Sequence, residues 1–112
     1  MEMNIFRYCS DDFCYLILDC GGRPPDPRQA DLLACRSLTI SSDGLILGPT
    51  SGQPPYSFQV RDLNGKPLPP DDRAEEAFDC FLRDAGYLPA GDGSQPWKDS
   101  GLPGSIRRLL SL

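Results

Sequence analysis

Apolar and polar positions divide the chain into short stretches of distinct period. Phe13 to Leu18 is apolar at every position, which predicts a strand covered on both faces. An earlier strand over residues 3–8 is joined to it, at 13–19, by the polar step Ser10-Asp11-Asp12. Gly21-Gly22-Arg23-Pro24-Pro25 then breaks the chain. Asp26 as N-cap and Pro27 at the first helical position, with Gln29 as a capping-box partner, predict a helix over about 27–37. Ala30, Leu33 and Ala34, flanked by Leu32 and Cys35, give it an apolar side. Asp43-Gly44 marks a turn before the short buried strand Leu45-Ile46-Leu47, and residues 50–55 form a loop. Tyr56, Phe58 and Val60 alternate with Ser57, Gln59 and Arg61, the period of a half-buried strand. Asn64-Gly65 is a strong hairpin signal, so residues 66–69 are expected to turn back as a strand.

The second helix carries the clearest pattern. Ala74, Ala77, Phe78, Phe81, Leu82 and Ala85 form one apolar stripe. Asp71 or Asp72 caps its start, with Glu75 completing a D-x-x-E arrangement. Gly86 falls at the C′ position and Pro89 prevents continuation, which gives a helix of about 71–86. A long striped helix against several antiparallel strands predicts a single α+β domain over residues 1–88. Residues 89–104 are rich in Gly, Pro, Ser and Asp and read as irregular. Ser105 can cap a short helix over 105–112, with Ile106, Leu109 and Leu110 apolar, too short to be stable alone, so that it either docks or frays. Trp97 in this 89–112 tail favours docking, because an aromatic ring seeks an apolar seat.

Composition narrows the function classes. Apolar residues make up 39% of 112, enough for a core but not for a second domain of similar size. No run approaches the roughly 18 apolar residues of a membrane helix. MEMNIFRYCSDDF lacks the basic and apolar regions of a signal peptide, so the chain is expected to be soluble and cytoplasmic. The net charge of −5, with only Arg107 and Arg108 adjacent among the basic residues, excludes the concentrated basic face of a nucleic-acid binder. The chain contains no histidine, which removes Ser-His and Cys-His nucleophiles and the usual zinc sites. Its five cysteines, Cys9, Cys14, Cys20, Cys35 and Cys80, contain no C-x-x-C pair and are read as buried, reduced thiols.

In order, these segments resemble the N-terminal half of diaminopimelate epimerase and related cofactor-independent racemases. Ser10-Asp11-Asp12-Phe13 stands where that family has G-N-D-F, and Leu16-Ile17-Leu18-Asp19 matches its apolar strand ending in Asp. Cys35-Arg36 and Ile40-Ser41-Ser42-Asp43-Gly44-Leu45 correspond to C-D-R-x-F-G-I-G-A-D-G-L. From Gln59 to Phe81 the chain aligns without a gap to R-I-F-N-A-D-G-S-E-x-x-x-C-G-N-G-A-R-C-F-x-R-Y, with Val60, Gly65, Phe78, Phe81 and the later Gly86 in register. The resemblance covers about residues 4–88. It implies a mostly antiparallel, curved sheet packed around one long helix (about 71–86) plus a shorter helix (about 27–37), with no cofactor and an association with lysine and peptidoglycan precursors.

The departures fall on the chemistry. The family uses two thiols, one on each face of the α-carbon, because one deprotonates while the other reprotonates. The position of the first thiol is Asp71 here, and Gly-Asn-Gly-Ala-Arg becomes Asp72-Arg73-Ala74-Glu75-Glu76. The family's substrate-side asparagines fall on Asp11 and Asp62. Acidic groups at a helix N-terminus cap it themselves and repel a substrate carboxylate. By resemblance the candidate pocket is therefore Asp11, Asp62, Asp71, Asp72 and Arg73, with no catalytic residue and no confident metal ligand. The aspartates are read first as turn and cap residues on a solvated rim, with a hard-cation site as the alternative. The expected function is a non-catalytic binding module with a small-molecule or protein partner. The alternatives are a residual epimerase working as a homodimer and an Asp-lined cation-binding module.

Overall fold

The computed structural model describes residues 5–37, 42–91 and 95–99, with only the backbone described at 35–37. Strand β1 (Ile5–Ser10) turns into β2 (Phe13–Asp19), and helix α1 (Pro27–Ser37) leads to β3 (Gly44–Gly48). Strands β4 (Gln59–Arg61) and β5 (Pro67–Leu68) follow, then helix α2 (Asp72–Asp84) and the short β6 (Lys98–Asp99). The fold is α+β. Its six strands make one open, mixed sheet in the order β5-β4-β3-β2-β1-β6. β2 and β3 pair in parallel with α1 as the crossover between them, and the other four neighbours are antiparallel.

Alternation along the central strands sorts the core onto two faces. Tyr15, Ile17, Ile46 and Val60 pack with Ala74, Ala77, Phe78 and Phe81 of α2. Leu16, Leu18, Leu45 and Leu47 pack with Ala30 and Leu33 of α1. This is why Phe13 to Leu18 is apolar throughout: β2 is central and each of its faces meets a helix. The sheet therefore separates two helices.

Local chemistry sets the ends of α2. Asp71 is extended and its Oδ1 accepts the Ala74 amide at 2.8 Å. At the other end Gly86 has φ 88°, the Tyr87 amide donates to the Leu82 carbonyl, and the Gly86 amide donates to the Arg83 carbonyl. That paired arrangement is a Schellman motif, and glycine fits its left-handed residue without steric cost.

Three expectations need correction. Tyr56 and Phe58 lie outside β4, although both side chains still pack against the α2 core. The alternation read as strand pairing reflects inward-pointing loop residues instead. Within the stretch read as irregular, Trp97 is 2% exposed in the α2-side core, and Lys98–Asp99 pairs with Tyr8 and Cys9 of β1. The cysteines are not all reduced: Cys9 and Cys14, directly opposite in the β1–β2 hairpin, form a disulfide, while Cys20 and Cys80 are free. The sheet is mostly antiparallel, as expected, with β2–β3 as its parallel pairing. Strand residues 3–4 and the helix expected over 105–112 lie outside the described residues. No helix among the described residues is long and apolar enough to cross a membrane.

Candidate functional site

The N-terminal end of α2 faces the hairpin end of β2. Phe13 and Tyr15 project from the α2 side of β2, with ring centroids 5.1 Å apart. Trp97 joins them at 6.3 Å from Phe13 and 5.6 Å from Tyr15. The Arg73 guanidinium carbon sits 4.2 Å from the Phe13 centroid, a cation–π contact. Tyr15 OH lies 3.5 Å from Asp71 Oδ1, and Trp97 Nε1 donates to Glu76 Oε2 at 3.4 Å. Gly44 backs the cluster: a Cβ there would come within 2.8 Å of the Tyr15 ring. Below it, Asp43 grips Cys14, accepting its amide at 2.8 Å and donating its own amide to the Cys14 carbonyl at 2.7 Å. Three rings, one guanidinium and two carboxylates thus meet where a loop end approaches a helix start.

Electrostatics keep the phenol neutral. Burial pushes the Tyr15 pKa up to about 12; the Asp71 carboxylate adds to the rise, and the Arg73 charge partly offsets it. The group is a hydrogen-bond donor at neutral pH, not a base. Neither free thiol supplies one. Burial, with Asp19 beside it, pushes Cys20 up to about 11, and burial also raises Cys80 at mid-helix.

The five candidate residues differ in what their side chains touch. Asp71 and Arg73 lie beside Phe13 and Tyr15 at the cluster. Asp72 is exposed in the first turn of α2. Asp11 is exposed at the tip of the β1–β2 turn with φ 53°, a left-handed conformation that aspartate tolerates better than most residues. Asp62 serves its own turn: its Oδ1 accepts the amides of Asn64 and Lys66, each at 2.9 Å. Each of Asp62 and Asp71 thus has the local turn or cap role that its residue type favours. Among the described residues, no three His, Cys, Asp or Glu side chains are grouped to hold a metal ion. A hard-cation site therefore has no ligand set there.

Phe13, Tyr15, Glu76 and Trp97 were not singled out as site residues from the sequence. The period-2 register of β2 places Phe13 and Tyr15 on one face, a signal present in the chain. Trp97 signals only that it seeks an apolar seat; which seat it takes depends on β6 pairing with β1.

No family model and no curated protein matches the chain.

Proposed function

We propose that the chain is a non-catalytic binding module built on a single domain of the diaminopimelate-epimerase type. One observation carries this. At the helix start where that family places a proton-exchanging thiol, Asp71 spends its carboxylate on the Ala74 amide 2.8 Å away. A carboxylate already seated on the helix N-terminus occupies the position that would otherwise receive a substrate carboxylate. Arg73, in turn, is stacked on Phe13. The order of elements supports the relationship: a hairpin, a helix, a buried strand, a second hairpin, then a long helix ended by Gly86.

The test is α-proton exchange in deuterated water, with diaminopimelate and other amino acids as substrates and the full chain at high concentration. No exchange above the buffer rate is expected. Enzyme-dependent exchange that disappears in Asp71→Asn would overturn the proposal. Light scattering coupled to gel filtration on the same sample shows whether a second copy is available to complete a pocket.

A further inference from the structure

Strand β1 places Phe6 and Tyr8 on the α2 side of the sheet. Their ring centroids lie 5.3 and 6.0 Å from that of Phe81 on α2. Asp99 of β6 pairs with Tyr8, so its side chain leaves the sheet on the same face. Asp84 is the last residue of α2, and its Oδ2 accepts the Tyr8 hydroxyl at 2.7 Å. Together with Ala85 these residues line a pocket of about 360 Å³ at the C-terminal end of α2. Its wall is aromatic, and its polar side chains are one phenol and two carboxylates.

Two carboxylates at this place are not what the local structure favours. A helix ends in a partial negative charge, which opposes an acidic group in the last turn and attracts a cation. The chain's own cations are directed elsewhere. Arg83, the basic residue of that turn, bonds Asp79 at 2.9 Å and the Pro89 carbonyl at 3.0 Å. Lys98 lines a neighbouring depression and not this pocket. Tyr8 is held as a neutral donor: burial raises its pKa most, and the hydrogen bond to Asp84 and the charges of Asp84 and Asp99 add to the rise.

This lining selects its ligand by charge. An anion is repelled, and a neutral apolar molecule would take water from the carboxylates and return no hydrogen bond. An ammonium group donates to carboxylates, and aromatic faces attract its charge while they cover its alkyl part. The volume is at the small end of the range of about 300–1,000 Å³ for ligand sites, which suits a short chain. We propose that the pocket binds a small alkylammonium ion, held by Asp84 and Asp99 with its chain against Phe6, Tyr8 and Phe81. The pocket lies at the opposite end of α2 from Asp71. It is therefore independent of the epimerase relationship.

Amide chemical shifts of the full chain test it, with n-butylammonium as probe and n-butanol as the uncharged counterpart. n-Butylammonium should shift Phe6, Tyr8, Asp84 and Ala85 saturably, and n-butanol should bind at least about tenfold more weakly. Asp84→Asn and Asp99→Asn should each weaken the ammonium about tenfold, and Phe6→Leu about two- to fivefold. Asp31→Asn on α1 removes the same charge on the other face of the sheet and should leave binding unchanged. Should Asp84→Asn fail to fold, Asp99→Asn, in an exposed two-residue strand, carries the same test. Absence of saturable shifts at these amides overturns the proposal. Equal binding of n-butanol does so too, because the site would then be an apolar crevice. Equal losses in the Asp99→Asn and Asp31→Asn variants also overturn it, since net charge alone would be at work. Nα-acetyl-lysine methylamide separates two sources of the ligand: binding as tight as n-butylammonium assigns a lysine side chain, and weaker saturable binding a free amine.

Discussion

Asp71 is the residue on which the proposed non-catalytic reading turns. Its side chain satisfies one of the amides that a helix start leaves open, and alanine removes that acceptor. Asp71→Ala should cost about 1 kcal/mol, while Asp71→Ser, another good cap, should lose much less. Urea titration measures both; equal midpoints for parent and Asp71→Ala would show that the cap contributes nothing. Gly48 poses a packing question. A Cβ there would lie 2.7 Å from the Phe58 Cβ and 2.9 Å from the Phe78 ring, whose centroids stack at 4.5 Å. Gly48→Ala should therefore destabilise by about 1–3 kcal/mol, as overpacking does. Gly52, with open space around its would-be Cβ, is the control and should tolerate alanine. A Gly48→Ala variant as stable as Gly52→Ala would mean that the rings yield freely.

Among the elements, the β1–β2 hairpin and α1 make separable contributions. The Cys9–Cys14 bridge closes a loop with a sequence separation of 5, so its effect on the unfolded chain is at the low end, about 2 kcal/mol. Reductant should lower the denaturation midpoint of the parent and leave Cys9→Ser/Cys14→Ser unmoved. Insensitivity of the parent would dismiss the bridge as a stabilising element. Helix α1 is held chiefly through Ala30 and Leu33, which are 1% and 0% exposed against the leucines of β2 and β3. Leu33→Ala should cost about 2–5 kcal/mol, and small domains have only about 5–15 kcal/mol in total. Loss of α1 protection in hydrogen exchange ahead of the sheet would follow; uniform loss would show that α1 unfolds only with the whole domain. The hairpin pairing and both helices were legible because capping residues and periodicity are local. The bridge was not, since no cysteine spacing in the sequence shows that positions 9 and 14 are cross-strand partners until the hairpin register is fixed.

Across the whole molecule, three phenol–carboxylate contacts tie the sheet to α2 and its exit. Tyr8 of β1 donates to Asp84 at 2.7 Å, Tyr15 of β2 approaches Asp71 at 3.5 Å, and Tyr87 donates to Asp19 at 2.8 Å. Burial, followed by these carboxylates, pushes Tyr15 and Tyr87 up to about 12 from 10.0, and Tyr8 is raised by the same causes. The charged form is the disfavoured one in the fold. The stabilisation is therefore complete below pH 10.0 and is lost as pH rises through about 12. Urea midpoints should hold up to the tyrosine range and then fall, in step with phenolate absorbance, and Tyr87→Phe should reduce the steepness. A midpoint flat through that range would mean the phenols ionise without cost. Neighbouring residues alone specify the α+β class, both helices with their caps, the central buried strand and the absence of a thiol at the start of α2. Those properties are written in neighbouring residues, through side-chain periodicity and local hydrogen bonding. The placing of the helices on opposite faces of an open sheet came only with the assembled fold. That fold alone placed Trp97 beside Tyr15 and joined Cys9 to Cys14. Each of these depends on which strands become neighbours, and strand order is set by burial summed over the whole chain.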